Sequence, residues 1–188
     1  MTSRFLVLYG TTDGQTRKIA TTIADALRAL GDDVEVSNAK QQDAVARPED
    51  FDAVVVAASV HAGRYQQSVL RWVRAHRAAL SGRPTAFISV CLAVLERNPK
   101  TDREVDRIMS RFFNSTGWRP TTSKVVAGAL QFTHYNWLKR LLMKRIVKKM
   151  VPDLDTRRDY DYTDWDDLKA FALAFHDQAL GSRLRPAV

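Results

Sequence analysis

The chain has 188 residues, and 29 Lys and Arg against 21 Asp and Glu give it a formal net charge of +8. This length suits one α/β domain, and a content of 45% hydrophobic and 27% charged residues excludes a disordered chain. The single cysteine, Cys91, excludes a disulfide framework, a four-cysteine zinc site and a cysteine-ligated iron–sulfur cluster. We therefore predict no metal site, and any redox chemistry would have to reside in an organic cofactor.

Short apolar runs alternate with helical patterns along the chain. Helices are predicted at residues 15–30, 65–80 and 101–114, and a last one begins with an N-cap signature at 163–166 and ends near Leu180. This alternation predicts a parallel sheet of order 2-1-3-4-5 with helices on both faces and a ligand crevice at the carboxyl ends of strands 1 and 3. The strands are predicted at residues 5–9, 34–36, 53–58, 85–90 and 125–130.

The pattern predicts a single domain over residues 1–180, followed by a loose basic tail at 181–188. Residues 132–157 are interpreted as an insertion, because a minimal five-stranded fold does not require them. The longest apolar run, at 53–60, is far shorter than the roughly 18 residues that cross a bilayer, and no signal peptide is visible. We therefore expect a cytosolic protein that can rest on a surface. The positive charge favours an anionic partner such as nucleic acid, acidic lipid or a carboxylated ligand.

The loop after the first strand, Gly-Thr-Thr-Asp-Gly-Gln-Thr at 10–16, opens the first predicted helix. Glycines allow a tight turn, while threonine hydroxyls and the N–H groups of a helix N-terminus can donate to an anion. The loop lacks the Gly-Lys-Thr ending of a nucleotide-triphosphate loop and the spaced glycines of a dinucleotide fingerprint. An ordinary N-cap and turn is the alternative, since the same residue types favour it. The predicted phosphate contacts are Thr11, Thr12, Asp13, Gly14, Gln15 and Thr16.

Two further loops are predicted at the same edge of the sheet. In the loop after the third strand, Gly63 permits close backbone approach, His61 and Tyr65 offer flat faces for an aromatic ring, and Arg64 could hold charge on a reduced ring. A packed loop is the alternative for His61 and Tyr65. Cys91, in the loop after the fourth strand, is interpreted as a packing residue rather than a nucleophile. The predicted ring contacts are Ser59, Val60, His61, Ala62, Gly63, Arg64, Tyr65, Ser89, Val90, Cys91, Leu92 and Ala93.

The insertion contains a basic amphipathic pattern at residues 138–150, and no acidic residue occurs between Val125 and Pro152. A cationic helix preceded by aromatic residues is typical of a membrane surface or of a site for an anionic ligand. The alternative is a lid helix whose apolar stripe packs on the sheet. Nucleic acid is not favoured, because the aromatic residues are clustered rather than interleaved with the basic ones. The candidate cationic contacts are Arg140, Lys144, Arg145, Lys148 and Lys149.

Several of these segments resemble a known family. Residues 12–20, TDGQTRKIA, resemble the FMN-phosphate loop of flavodoxin-like proteins, and more narrowly that of bacterial menaquinone-dependent protoporphyrinogen IX dehydrogenases. His61-Ala62 and residues 91–95 depart from the family pattern around the ring. The resemblance spans nearly the whole chain and continues at residues 58–59, 63–65, 115–120, 127–130, 155–158 and 162–165.

The resemblance implies a flavodoxin-like three-layer sandwich with non-covalent FMN held by residues 11–16, 59–65 and 89–93. It implies oxidation of protoporphyrinogen IX to protoporphyrin IX in haem biosynthesis, with menaquinone or ubiquinone as electron acceptor. It also implies peripheral association with the inner face of the cytoplasmic membrane. The basic insertion could pair with the propionates of the substrate, and His61 and His134 are candidates for a general base.

Three other functions fit a chain of this kind. A flavodoxin-type electron carrier is disfavoured by the net charge of +8, because such carriers are generally acidic. An FMN-dependent reductase of quinones or azo compounds would be reduced directly by NAD(P)H. A binding module that has lost FMN would be colourless. The sequence leaves the preferred quinone and the oligomeric state open.

Overall fold

The computed structural model describes residues 2–41, 46–134, 155 and 157–183, with the backbone alone at 134, 182 and 183. Five parallel strands form one sheet in the order β2-β1-β3-β4-β5, as predicted. A short antiparallel ribbon lies beside it, in which Ala129 pairs with Asp161 and Leu130 with Tyr160. The sheet consists of β1 Arg4–Gly10, β2 Asp33–Asn38, β3 Ala53–Ser59, β4 Thr85–Val90 and β5 Thr122–Val126, and the ribbon of β6 Ala129–Leu130 and β7 Tyr160–Asp161.

Helices cover both faces of the sheet and make a three-layer sandwich. Alternate side chains of β1 enter opposite cores, with Phe5 and Val7 in one and Leu6 and Leu8 in the other. Burial on both faces explains why the central strands are continuous apolar runs. The first core contacts α1 Gln15–Arg28 and α5 Trp165–Arg183, and the second contacts α2 Gln67–Ala75, α3 Arg77–Ser81 and α4 Pro99–Thr116.

The helix predicted at 65–80 is divided at His76, which has φ −108° and ψ 18°. Its backbone nitrogen and its ring Nδ1 both lie close to the Trp72 carbonyl oxygen, at 3.0 and 2.9 Å. Two groups of one residue therefore converge on a single carbonyl, and the chain leaves regular helical geometry there. The helical pattern in the sequence carried no signal for this break.

The fifth strand was predicted at 125–130, and this position is wrong. The sheet strand is Thr122–Val126, while Ala129–Leu130 pairs with β7 instead. The prediction missed the start of this edge strand because Thr122 to Lys124 are polar. Lys124 is accommodated because its Nζ lies 2.8 Å from Asp167 on α5 and 5.6 Å from the centre of the Phe171 ring.

The last helix begins where its N-cap signature predicted, since the carboxylate of Asp164 accepts a hydrogen bond of 3.0 Å from the Asp167 N–H. It continues to Arg183, so the tail predicted from residue 181 is wrong for its first three residues. None of the helices in the described part of the chain is both long enough and apolar enough to cross a membrane.

Candidate functional site

The loops that follow β1, β3 and β4 meet at the carboxyl edge of the sheet and line a cavity of about 430 Å³. This is the strand-1 and strand-3 crevice that the topology predicted, since strand order reverses there. The cavity brings together most of the predicted contacts. These are Thr11, Asp13, Gln15, Thr16, Ser59, Val60, His61, Ala62, Gly63, Val90, Cys91, Leu92 and Ala93.

The first loop forms a turn that opens onto α1. Gly14 precedes the helix with φ +93°, a conformation that favours glycine, and its N–H donates to Thr11 Oγ1 at 2.9 Å. A Cβ atom at Gly14 would meet no atom within 4 Å, so the space beside the turn is open. The open space therefore lies beside the N-terminus of α1, where helix geometry leaves the first N–H groups without partners in the helix.

Two buried polar atoms at the start of α1 lack hydrogen-bond partners among the residues that the structure describes. They are Gln15 Oε1 and Thr16 Oγ1, on side chains that are only 6% and 1% exposed. Because buried polar groups are ordinarily paired, this arrangement fits a bound polar ligand. The donors at this end of the cavity are neutral, as the sequence predicted.

The second loop is a tight hairpin, and His61, Ala62 and Gly63 in it line the cavity. His61 and Arg64 exchange backbone hydrogen bonds of 2.8 and 3.1 Å, and Ala62 and Gly63 between them have φ +48° and +71°. The side chains of His61 and Ala62 are exposed at its tip. Arg64 is exposed but does not line the cavity.

Gln66, which the sequence analysis did not single out, joins this hairpin to the first loop. Its Nε2 donates to Ser59 Oγ at 2.6 Å and to Thr12 Oγ1 at 3.4 Å, while its Oε1 accepts from the Ser59 N–H at 3.2 Å. Thr12 itself is exposed and lies outside the cavity lining. The side-chain amide of Gln66 thus fixes the spacing between two of the three loops.

Tyr65 does not present its ring to the cavity. It is 6% exposed and packs edge-on against Phe87 and Phe112, with ring centres 5.2 and 5.1 Å away. Its hydroxyl pairs with the fully buried Ser89 Oγ at 2.7 Å, and burial raises the pKa of the phenol. The predicted ring contacts at Tyr65 and Ser89 are therefore corrected to an anchor beneath the loops. Tyr65 precedes α2, so no periodic pattern in the sequence signalled its place in the core.

The third loop begins at Cys91, whose N–H donates to the Val126 carbonyl at 2.9 Å, and continues as a 3-10 turn at Leu92–Glu96. Burial raises the pKa of the Cys91 thiol, and the nearby Glu104 carboxylate adds to this effect. A buried thiol that stays protonated is a poor nucleophile, in agreement with the interpretation of Cys91 as a packing residue.

The outer wall of the cavity consists of residues that were not predicted as part of the site. A face of α4 contributes Thr101, Val105 and Ile108 at helical spacing, and that pattern alone does not distinguish a cavity wall from a core. Glu96 accepts from Thr101 Oγ1 at 2.6 Å. The remaining members are Glu96, Glu104, Gly128 and Ala129.

The charge of the cavity lining contrasts with the positive charge of the whole chain. Asp13, Glu96 and Glu104 line the cavity, and the described lining includes no Lys or Arg side chain. The five cationic contacts predicted in the insertion, Arg140 to Lys149, lie outside the described residues. His134 ends a 3-10 turn at Phe132–His134, and the structure describes only its backbone. Within the described ranges, no group of three or more His, Cys, Asp and Glu could hold a metal ion.

Comparison with known proteins assigns the family. A flavodoxin domain model matches residues 6–156. The chain is 36% identical over 169 residues to a protein of Escherichia coli (strain K12) named protoporphyrinogen IX dehydrogenase (quinone), covering 89% of this chain and 91% of that protein. It belongs to the protoporphyrinogen IX dehydrogenase family. A protein of the same name from Leishmania major is 33% identical over 187 residues, covering 96% of this chain and 78% of that protein.

Solved flavodoxin structures share the fold of this protoporphyrinogen IX dehydrogenase family member. A short-chain flavodoxin associated with a bacterial microcompartment superposes with a TM-score of 0.59 at 18% identity, covering 95% of this chain and 99% of that one. At this identity the similarity shows the fold alone. The flavodoxin domain implies a flavin cofactor, and the open turn and unpaired polar atoms at the start of α1 fit such a group.

Proposed function

We propose that this protein binds FMN non-covalently and oxidises protoporphyrinogen IX to protoporphyrin IX, with a respiratory quinone as electron acceptor. The observation that carries the proposal is the 36% identity over 89% of the chain to a protein named for this activity. The cavity at the carboxyl edge of the sheet supports it, because that is where open α/β folds bind their ligands.

The phosphate of FMN would be held at the N-terminus of α1. Thr11, Gly14 and Thr16 lie there, and neutral N–H and O–H donors suit a dianion at the positive end of a helix dipole. The isoalloxazine ring would lie between the His61–Arg64 hairpin and the Cys91–Ala93 segment. The Tyr65–Ser89 anchor and the Gln66 bridge hold these loops in place.

When bound, a flavin supplies the capacity to accept hydride from the substrate in successive two-electron steps. The chain supplies position and environment. Val90, Leu92 and Ala93 give the cavity an apolar lining that limits water, and Asp13, Glu96 and Glu104 are the carboxylates of the same lining. Each two-electron oxidation of the macrocycle also releases a proton, and His61, Glu96 and Glu104 are groups in the lining that can accept one.

The propionates of the substrate would be bound by the basic insertion, and the same cations would rest on the anionic inner face of the cytoplasmic membrane. The support lies in the sequence, because the net charge is +8 and no acid occurs from Val125 to Pro152. The described wall of the cavity is acidic, so cations for two carboxylates must come from elsewhere in the chain.

The decisive experiment is anaerobic oxidation of protoporphyrinogen IX by the FMN-loaded protein, with and without added menaquinone, followed by porphyrin fluorescence. We expect turnover that depends on the quinone. A stoichiometric burst without turnover would identify an electron carrier. Flavin reduction by NAD(P)H, with no porphyrin formed, would identify a quinone or azo reductase and refute the proposal.

A further inference from the structure

A group of residues distant in sequence holds one side chain of the first loop. Gln15, the first residue of α1, donates from Nε2 to Asp161 Oδ1 and to Thr163 Oγ1, each at 2.9 Å. Asp161 lies in β7 and Thr163 in the connection from β7 to α5, 146 and 148 residues further along the chain. The β6–β7 ribbon thus reaches the start of α1.

The hydrogen bonds in this group determine which atoms donate and which accept. The Thr163 hydroxyl has one hydrogen and donates it to the Ala127 carbonyl at 2.9 Å, so it can only accept from Gln15. Asp161 Oδ1 also accepts from the Thr163 N–H at 3.0 Å, and an ionised carboxylate has no hydrogen to give. Both hydrogens of Gln15 Nε2 are therefore donated to these two acceptors. A flip of the amide would place Oε1 against two acceptors, so its orientation is fixed.

This fixed orientation determines what Gln15 offers to a ligand. The oxygen Oε1 is buried, and Gln15 lines the cavity beside the helix N-terminus. Oε1 has no partner among the described residues, and only a hydrogen-bond donor can satisfy it. A phosphate dianion carries acceptors alone, whereas the hydroxyl groups of a polyol chain are donors.

We propose that Asp161 and Thr163 are positioning residues, which lock the Gln15 amide so that Oε1 accepts a ribityl hydroxyl while the N-terminus of α1 receives the phosphate. The inference rests on the proposed flavin function and deepens it. Under this proposal the β6–β7 ribbon contributes to cofactor binding indirectly, through Gln15, because neither Asp161 nor Thr163 lines the cavity.

Flavin titrations of variant apoproteins test the role. Asp161→Ala and Thr163→Val remove the acceptors, and we expect affinity for both FMN and riboflavin to fall about five- to tenfold. Lumiflavin has no ribityl chain, and its affinity should not change. Asp161→Asn and Thr163→Ser keep an acceptor oxygen in place and should remain within about twofold of the unaltered protein.

A double-substitution cycle separates positioning from general damage to the fold. In a Gln15→Met background, Asp161→Ala should cause no further loss of FMN affinity, because its effect passes through the Gln15 amide. Independent losses in the double variant, an equal loss of lumiflavin affinity, or unchanged FMN affinity in Asp161→Ala would each overturn the inference. Failure of the unaltered chain to bind FMN would instead overturn the proposed function itself. Thermal unfolding of each apoprotein confirms that the variants compared are folded.

Discussion

The end of β1 packs so closely on α2 that position 10 accommodates no side chain. A Cβ atom at Gly10 would lie 2.4 Å from Val69 Cγ2 and 3.2 Å from Gln66 Oε1. Carbon atoms pack favourably at about 3.5–4.0 Å, so the variant Gly10→Ala requires a shift of more than about 1 Å at this contact. Val69 is fully buried and cannot move into solvent.

The size of the effect follows from two opposing contributions. Overpacking a core costs about 1–3 kcal/mol, while replacing glycine with alanine favours folding by about 0.4–1 kcal/mol through the unfolded chain. We therefore expect Gly10→Ala to lower the free energy of unfolding by about 1–2 kcal/mol, or to lower the Tm by roughly 2–8 °C for a chain of this length. The shift of Gln66 should also weaken FMN binding.

Urea unfolding measures the change in the free energy of unfolding. The four proteins to compare are the unaltered chain, Gly10→Ala, Val69→Ala and the double variant. Val69→Ala opens space for the new methyl group, so the double variant should be more stable than the sum of the single changes predicts by about 1 kcal/mol or more. Gly181→Ala is the matched control, because a Cβ atom there meets nothing within 4 Å in α5 and should stabilise the protein. Additive losses at positions 10 and 69 would refute the packing argument.

Three further predictions concern the site. Gly14→Arg places a large side chain at the proposed phosphate position, on a residue with φ +93°. We therefore expect the variant to lose FMN. Normal FMN affinity in equilibrium dialysis would show that the phosphate does not bind there. Burial raises the pKa of the Cys91 thiol. Its rate of alkylation by iodoacetamide should therefore be lower than that of a free thiol and should increase only at pH values above the ordinary thiol pKa of about 8.5. A pH–rate profile like that of a free thiol would contradict the burial of Cys91. Reversing the charge of the insertion should release the protein from anionic vesicles, with neutral vesicles as the control; unchanged sedimentation would favour the lid interpretation. That variant carries Glu at Arg140, Lys144, Lys148 and Lys149.

The anchor beneath the loops shows how partial a prediction from residue type is. Tyr65 follows β3 and Ser89 lies near the end of β4, and residue type alone suggested contact with a flavin ring. Their 2.7 Å hydrogen bond lies in the core instead, where it holds the segment after β3 to strand β4. Both roles are compatible with a tyrosine after a strand, and only its packing against Phe87 and Phe112 distinguishes them.

By itself the sequence determined the strand order, the layers and the edge of the sheet where the loops converge. Those features depend on local periodicity and on the turn at Gly14, which neighbouring residues specify. Only the tertiary structure decided that β5 ends before Gly128, that α4 closes the cavity, and that Asp161 and Thr163 hold Gln15. Those contacts join segments up to 148 residues apart. They arise because the β6–β7 ribbon and α4 pack beside the loops at the edge of the sheet, and no local pattern specifies such packing.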